Sequence, residues 1–530
     1  MKSKTSYFNK SIFLKDMKSY WSLWMAEIFI ALLVITFPVM AIKNNIVQSG
    51  INDTAQITDN IKKFLLSTTN IITNPVFIFV LSIVAAITIF QYLFNSRDLY
   101  MIHSLPIKRG CLFVSHYLAG FLIIIIPYIV GFITLFAANI AYQTHIASKL
   151  LFGLFQVITM IMLFYSLACG IVIMSGNTAI SIVIYVVANI LYIAAYFMIS
   201  IVNTFFSYSM NEFTVVNVIK NKFAWLSPIV YLCDKTGIKG GNIKTGSMTV
   251  FTFVLMAGIA VFIIAFVLYK KRKSEAVGDT MAFSWCKAVF KSVFSILAGA
   301  YLAIIVFVIY FDNTSMTYHA RQKYALALIV SVLIFTAICY FISEMIIKKT
   351  FMVFKNFSVV NLAVVLVIVF GSVMAAKTGL LEQKIPDAKD VALIEITNSQ
   401  NLIAVTEKNE IEEYVKLCKK IEEEKPEIKD ETCYVKYKYY LNNGSEVCVS
   451  YSLPEDENSI LYDAEKIFAK SDKKAEEVFS RACADSNYNI TDITISDGDK
   501  DMEVPTDSKF TKELYKALVK RHGRRKCEAV

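Results

Sequence analysis

Residues Pro75–Arg109 read PVFIFVLSIVAAITIFQYLFNSRDLYMIHSLPIKR. The first part, Pro75–Phe94, carries no charged residue. As a helix it is long enough to cross the roughly 30 Å hydrocarbon core of a bilayer. The second part turns polar and basic within a few residues, and a second apolar run begins beyond Arg109. Two apolar runs separated by a short basic segment are the signature of a polytopic membrane protein, in which each turn at the membrane surface is marked by Lys and Arg.

The same pattern repeats outward from this stretch. Apolar runs of spanning length precede it at Trp21–Ile42 and follow it at Tyr117–Tyr142, Leu150–Met174, Ala179–Val202 and Met248–Tyr269. Three more lie at Phe290–Phe311, Tyr324–Ile347 and Val359–Ala376, the last being the shortest. The sequence therefore predicts a polytopic α-helical membrane protein of about nine spans. Composition agrees: 56% of the 530 residues are hydrophobic, 18% are charged and mean hydropathy is +0.53, against about 25% charged in soluble domains. The Lys-rich N-terminus is not read as a cleaved signal. Its apolar run exceeds a signal core and no small-residue cleavage site follows. Residues 8–20, with Phe8, Ile12, Phe13, Met17 and Tyr20 among lysines, suit an interfacial helix leading into Trp21.

Charge divides the chain. Residues 381–530 carry a net −8, and the remainder carries the excess of bases that gives +10 overall. Those bases sit in short connections and follow no nucleic-acid-binding pattern, so nucleic acid is not an expected partner. With the N-terminus inside, the inner segments hold 17 Lys and Arg against 11 outside, and the densest cluster, Lys270-Lys271-Arg272-Lys273, reads as an inner stop-transfer signal. Nine spans then place residues 381–530 outside. That acidic region reads as a soluble α+β domain. It has strands at Val391–Thr397 and Leu402–Thr406, a helix at Glu410–Glu424, a hairpin of Cys433–Leu441 with Glu446–Ser452, amphipathic helices at Ala464–Ala482 and Lys509–Arg521, and a further strand at Ile490–Ile495. A turn at Asn443-Gly444 would set Cys448 opposite Tyr439 and Cys433 opposite a residue near Pro454, a register that forms no Cys433–Cys448 disulfide.

Catalytic patterns are scarce. The five His show no metal spacing, no C-x-x-C occurs among the ten Cys, and Gly237–Thr245 lacks the G-K-[ST] ending of a phosphate loop. The chain is expected to be no enzyme and to hold no cofactor or metal. Two kinds of residue remain. The segment between the second and third runs has Leu99, Met101, Ile102 and Leu105 as an apolar patch, with Arg97, His103, Lys108 and Arg109 around it. Ser104 and Pro106 stop one helix and open the next. It reads either as a docking element for a cytoplasmic partner or as a basic loop that only fixes topology. The polar residues Glu27, Gln91, Asn139, Gln156 and Asn189 lie in the runs, as candidates for lining a substrate path or for interhelical glue.

Three segments together carry a resemblance: Lys2-Ser3-Lys4-Thr5-Ser6-Tyr7-Phe8-Asn9-Lys10, His103-Ser104-Leu105-Pro106-Ile107-Lys108-Arg109 and Lys271-Arg272-Lys273-Ser274-Glu275-Ala276-Val277-Gly278. The chain resembles, over roughly residues 1–290, the type-2 ABC transporter permeases, in particular the large Firmicutes permeases with a C-terminal soluble domain. The resemblance implies an interfacial helix at 1–20, a six-span core at 21–285 and an outer segment in the loop 203–247; the three additional spans at 286–380 and the C-terminal domain depart from the six-span minimum of that family. Residues 97–109 would be the coupling helix for a separate cytoplasmic ATPase, which would bind ATP and Mg. A second permease subunit would complete the transporter in the bacterial cytoplasmic membrane. The expected activity is export or sensing of an envelope-related compound. The alternative is a membrane-anchored sensor whose C-terminal domain binds an envelope ligand.

Overall fold

The computed structural model describes residues 8–48, 53–209, 223–236, 247–311, 318–353, 358–378, 385–398, 402–405, 408–425, 432–442, 446–454, 493–496 and 501–504. Among them are nine helices long and apolar enough to cross a membrane: Trp21–Ile46, Thr54–Ile89, Arg109–Ala141, Ala147–Met174, Thr178–Phe206, Met248–Lys271, Ser284–Tyr310, Ala325–Lys348 and Val359–Lys377. Each takes in most of one apolar run of the sequence, and they are numbered spans one to nine. The protein is thus a multi-pass helical membrane protein, since a helix satisfies its backbone polar groups within the segment and can cross lipid.

Two details depart from the reading of the sequence. Span two is a pair of helices, Thr54–Ile72 and Pro75–Ile89, joined at Thr73-Asn74. Asn74 caps the second of them, accepting from the Val76 N–H at 2.9 Å, and Pro75 takes the first helical position, where its missing N–H costs nothing. Pro75–Ile89 has 15 residues, about 22 Å at 1.5 Å per residue. The end of Thr54–Ile72, with Ile72 buried, supplies the missing length. Thr54–Ile72 escaped the reading because its apolar residues occupy one face only: Ile61, Leu65, Leu66 and Ile72 are buried beside Lys62 and Lys63. At the other end the helix stops at Ile89, and Gln91–Phe94 forms a tight 3₁₀ turn instead of the last turn of a span.

Span one contains a π-helical turn, Leu32–Thr36. Pro38 explains it: a proline has no N–H for the carbonyl four residues back and its ring clashes there, so the preceding turn widens.

The chain divides into two compact units. One comprises 1–198, 214–304 and 331–369, the other 199–213, 305–330 and 370–530. In the first, span four is the centre, the most buried of the nine helices. Spans two, three and six pack around it through Ile89, Phe113, Tyr117, Phe164, Tyr165 and Phe251. Spans seven and eight cross closely at Gly299, where a Cβ would lie 2.5 Å from Thr336 Cα.

The second unit contains an α+β domain. A four-stranded antiparallel sheet runs β2-β1-β3-β4, with β1 Val391–Asn398, β2 Leu402–Val405, β3 Thr432–Leu441 and β4 Glu446–Pro454. The helix Lys408–Glu424 contributes Ile411, Tyr414, Val415, Cys418 and Ile421 to a core shared with Ile394, Ile396, Tyr437, Tyr439, Val449 and Tyr451 of the sheet. The hairpin register differs by one residue from expectation: Cys448 pairs with Lys438 and Cys433 with Leu453. The two cysteines are therefore not cross-strand neighbours. Ile493–Ser496 (β5) pairs with Asp501–Val504 (β6), and the expected helices at 464–482 and 509–521 lie outside the described residues.

Candidate functional site

The segment between spans two and three folds as an elbow. A short helix, Ser96–His103, starts at Asn95, whose side chain accepts from the Arg97 N–H at 3.1 Å and donates to Asp98 Oδ2 at 2.9 Å. Asp98 in the first turn and His103 in the last complement the helix dipole. Ser104 Oγ donates to the Met101 carbonyl at 2.8 Å, and Pro106 lies in the bend that leads to Arg109, the first residue of span three.

The apolar patch of the sequence divides into two faces. Leu99 is fully buried and Ile102 packs against the same core, rooting the elbow. Tyr100, Met101 and Leu105 face outward, 57%, 57% and 43% exposed, with Arg97, Ser104, Pro106 and Lys108 exposed beside them. His103 and Arg109 turn inward, and neither belongs to the outward surface. His103 Nδ1 lies 3.2 Å from Ser274 Oγ, while Arg109 donates to the Arg272 carbonyl at 2.8 Å and reaches Ser274 Oγ at 3.4 Å. Burial, then Arg109 and then Arg272, holds the His103 imidazole below its ordinary pKa.

The residue that organises this end of the bundle is Arg272, which the sequence presents as one of four basic residues in a stop-transfer cluster. Lys270, Lys271 and Lys273 are exposed as such a cluster requires, but Arg272 is buried, 3% exposed. Its Nη1 lies 3.2, 2.7 and 2.9 Å from the carbonyls of Val172, Ile173 and Ser175, and its Nη2 donates to Leu93 O at 3.0 Å. Val172 and Ile173 are in the last turn of span four, and Leu93 closes the 3₁₀ turn after span two. These are the carbonyls a helix end leaves without partners, at the negative end of its dipole. A guanidinium, with donors spread over a planar fork, can serve two helix ends at once. Burial lowers the Arg272 pKa to about 10, so it stays cationic at neutral pH. Nothing in the local pattern Lys-Lys-Arg-Lys distinguishes this residue; only its type, Arg among Lys, hints at a multidentate role.

Beyond Arg272 the chain lies along the end of span four. Ala282 N–H donates to Met174 O at 2.7 Å, Gly278 N–H to Gly176 O at 3.2 Å, and Ser175 and Met281 form an isolated bridge. Gly176 is required by this approach, since a Cβ would sit 2.1 Å from Asp279 O and 2.6 Å from Ala276 O. On the other side of the elbow the helix Lys10–Ser19, capped by Asn9, docks on the first turns of span three. Asn9 N–H donates to Ser115 Oγ at 2.9 Å, and the buried Asp16 carboxylate meets His116 Nδ1 at 2.5 Å. An interfacial helix was expected from the sequence; this one is fastened to protein through the buried Asp16–His116 hydrogen bond, and its Ile12, Phe13 and Met17 pack on the core.

The five polar residues proposed for a path do not form one cluster. Gln91 is exposed in the turn at the elbow end of span two. Asn139 lies near the far end of span three, where its Oδ1 accepts from Thr144 Oγ1 at 2.9 Å and Ile146 N–H at 2.8 Å. Asn189 donates to Tyr185 O one turn back at 2.8 Å, and Gln156 is buried in span four. Glu27 is half-buried in span one, and both its carboxylate oxygens are shielded with no hydrogen-bond partner among the described residues. No hydrogen bond joins any two of the five. Among the described residues there is also no group of three or more His, Cys, Asp and Glu arranged to hold a metal ion. Compared with models of known protein families, with curated proteins and with solved structures, the chain matches none.

Proposed function

We propose that this chain is the membrane-spanning subunit of an ABC transporter of the type-2 permease class, moved by a separate cytoplasmic ATPase. The observation that supports this reading is the elbow. Its short helix is capped and rooted by Leu99, tied through Arg109 and His103 to the loop after span six, and offers Tyr100, Met101 and Leu105 outward. A loop that served only to fix topology would need the bases and not this fixture. An exposed aromatic and two aliphatic side chains, rimmed by Arg97 and Lys108, suit insertion into a groove on a soluble partner.

In this reading ATP and Mg are bound by the partner. Two ATPase subunits closing on ATP displace the elbows of two permease subunits, and the packed helices behind them change the exposure of a shared path. The N-terminus and elbow face the cytoplasm. The domain of residues 381–530 lies outside, joined to that end of the helices: Tyr451 packs on Tyr208 just after span five, and Lys425 donates to the Tyr318 hydroxyl just before span eight at 3.1 Å. The cargo is an envelope-related compound, exported or sensed. Glu27, the one path candidate with an unpartnered carboxylate, is the residue assigned to meet it.

The test is co-purification of the full chain in mild detergent with a subunit that hydrolyses ATP. Met101→Asp with Leu105→Asp, both at exposed positions, is expected to release that subunit and leave the folded chain intact. Wild-type chain with no ATP-hydrolysing partner, or a double variant that keeps it, overturns the proposal.

A further inference from the structure

The loop from Arg272 to Phe283 touches three parts of its unit in succession. At its start, Arg272 O and Ser274 Oγ hold the elbow through Arg109 and His103. In its middle it is hydrogen-bonded to the end of span four at Met174 and Gly176, with no room for a side chain at Gly176. The same stretch also reaches span eight. Thr280 Oγ1 donates to Ile347 O at 3.1 Å, Lys349 Nζ donates to Gly278 O, and Lys287 of span seven pairs with Asp279 at 3.2 Å.

Spans seven and eight then behave as one piece. Glu344 is buried between Lys291 at 2.8 Å and Lys348 at 2.8 Å, and Lys291 also lies over the Tyr340 ring at 4.7 Å. Farther along, Gly299 brings the two backbones into contact at Thr336. An ion pair held inside a membrane bundle resists separation, since parting it strands a charge.

We propose that the loop 272–283 is a transmission strap that carries displacement of the elbow into spans seven and eight, so that the helices beyond the first six are driven parts of the machine and not a passive anchor. This rests on the elbow being the docking point of a motor, as proposed above. The strap is short, is fastened at both ends and has hydrogen-bonded backbone in between, so little of an elbow movement is absorbed before it reaches Ile347 and Lys349. A static brace would show the same bonds at rest but would not move with nucleotide.

The experiment uses the full chain with its co-purified ATPase in nanodiscs and follows backbone hydrogen exchange with and without Mg-ATP and vanadate. In the wild type, exchange at both 96–106 and 343–353 is expected to change several-fold on trapping. Thr280→Ala, Lys287→Ala and Lys349→Ala together remove the side-chain bonds that fasten the far end of the strap to spans seven and eight. The variant is expected to keep the ATPase and the change at 96–106, and to lose the change at 343–353. Gly176→Val, which displaces the middle, is expected to do the same. Absence of any ATPase on the wild-type chain overturns the functional reading and this inference with it. A bound ATPase with a nucleotide response at 96–106 but none at 343–353 in the wild type overturns the strap alone, and so does an unchanged response at 343–353 in the strap variants.

Discussion

Arg272 is the residue whose loss the structure prices most clearly. It is buried, and four main-chain carbonyls accept from it, at 2.7, 2.9, 3.0 and 3.2 Å. Each hydrogen bond to a charged group contributes ~1.5–3 kcal/mol. Against their sum stands the cost of burying a guanidinium, itself several kcal/mol. Replacement by Ala removes both and leaves four carbonyls without this partner, a loss of about 1–3 kcal/mol for each one that stays dry. Water entering from the nearby surface recovers part of it, so about 3 kcal/mol is expected for Arg272→Ala. Arg272→Lys keeps the charge and the number of bases in the cluster. An ammonium is a point donor that cannot reach both Leu93 O and the span-four carbonyls, so about half that loss is expected. The assay is reversible unfolding in mixed micelles, with insertion and orientation checked separately. If Arg272→Ala stays within about 0.5 kcal/mol of wild type, the guanidinium is not a keystone and the basic cluster is a topology signal after all.

Other expectations follow from the same geometry. Glu344→Gln should destabilise by about 3–5 kcal/mol by stranding Lys291, whereas Lys291→Met with Glu344→Leu should recover most of that; a double-mutant cycle in the same unfolding assay checks it. Gly176→Val and Gly299→Leu should each cost about 1–3 kcal/mol, because their Cβ atoms would meet Asp279 O at 2.1 Å and Thr336 Cα at 2.5 Å; equal stability of either variant would contradict the close approach. His103 is held below its ordinary pKa of 6.5, chiefly by burial. The unfolded chain therefore takes up the proton first, so this group contributes no pH dependence well above 6.5 and lowers stability as pH falls below that value. Unfolding midpoints measured between roughly pH 5 and 7.5 should slope less in His103→Gln than in the wild type.

Nine spans and the α+β domain were legible in the sequence because both rest on periodicity and length, which the chain displays without tertiary help. The strands and helix from Val391 to Pro454 alternate or repeat as their elements demand, and only the hairpin register slipped, by the one residue that a loop length decides. Thr54–Ile72 was invisible to hydropathy because it buries one face and carries exposed polar residues, Asp59 and Lys63 among them, on the other. The site was legible in position but not in construction. The sequence marks 95–109 as a basic turn between spans, yet cannot say that Leu99 points in while Tyr100 and Met101 point out, or that His103 and Arg109 serve the loop after span six. Arg272 was hidden for a physical reason. Hydropathy treats a base beside a span as solvated, and the carbonyls that accept from Arg272 come from residues about 100 and 180 positions earlier, at Val172, Ile173, Ser175 and Leu93.

The distribution of helix irregularities bears on how such a bundle moves. Among the nine spans, proline occurs only at Pro38, Pro75 and Pro127, that is in spans one, two and three. Each leaves a mark: the π-turn Leu32–Thr36 before Pro38, the break at Thr73-Asn74 before Pro75, and a lost backbone bond within the helix that contains Pro127. Spans four to nine have no such point, and span four is the most buried of all. The two helices that meet at the elbow are therefore both ones with an internal weak point, and the third weak helix, span one, packs on span three. At the elbow end the same helices are locked together by Arg272, Arg109 and Asp16–His116. In the proposed mechanism, a push at the elbow meets this bonded collar first, and the bundle bends farther along, at Pro38, Pro75 and Pro127 of spans one to three.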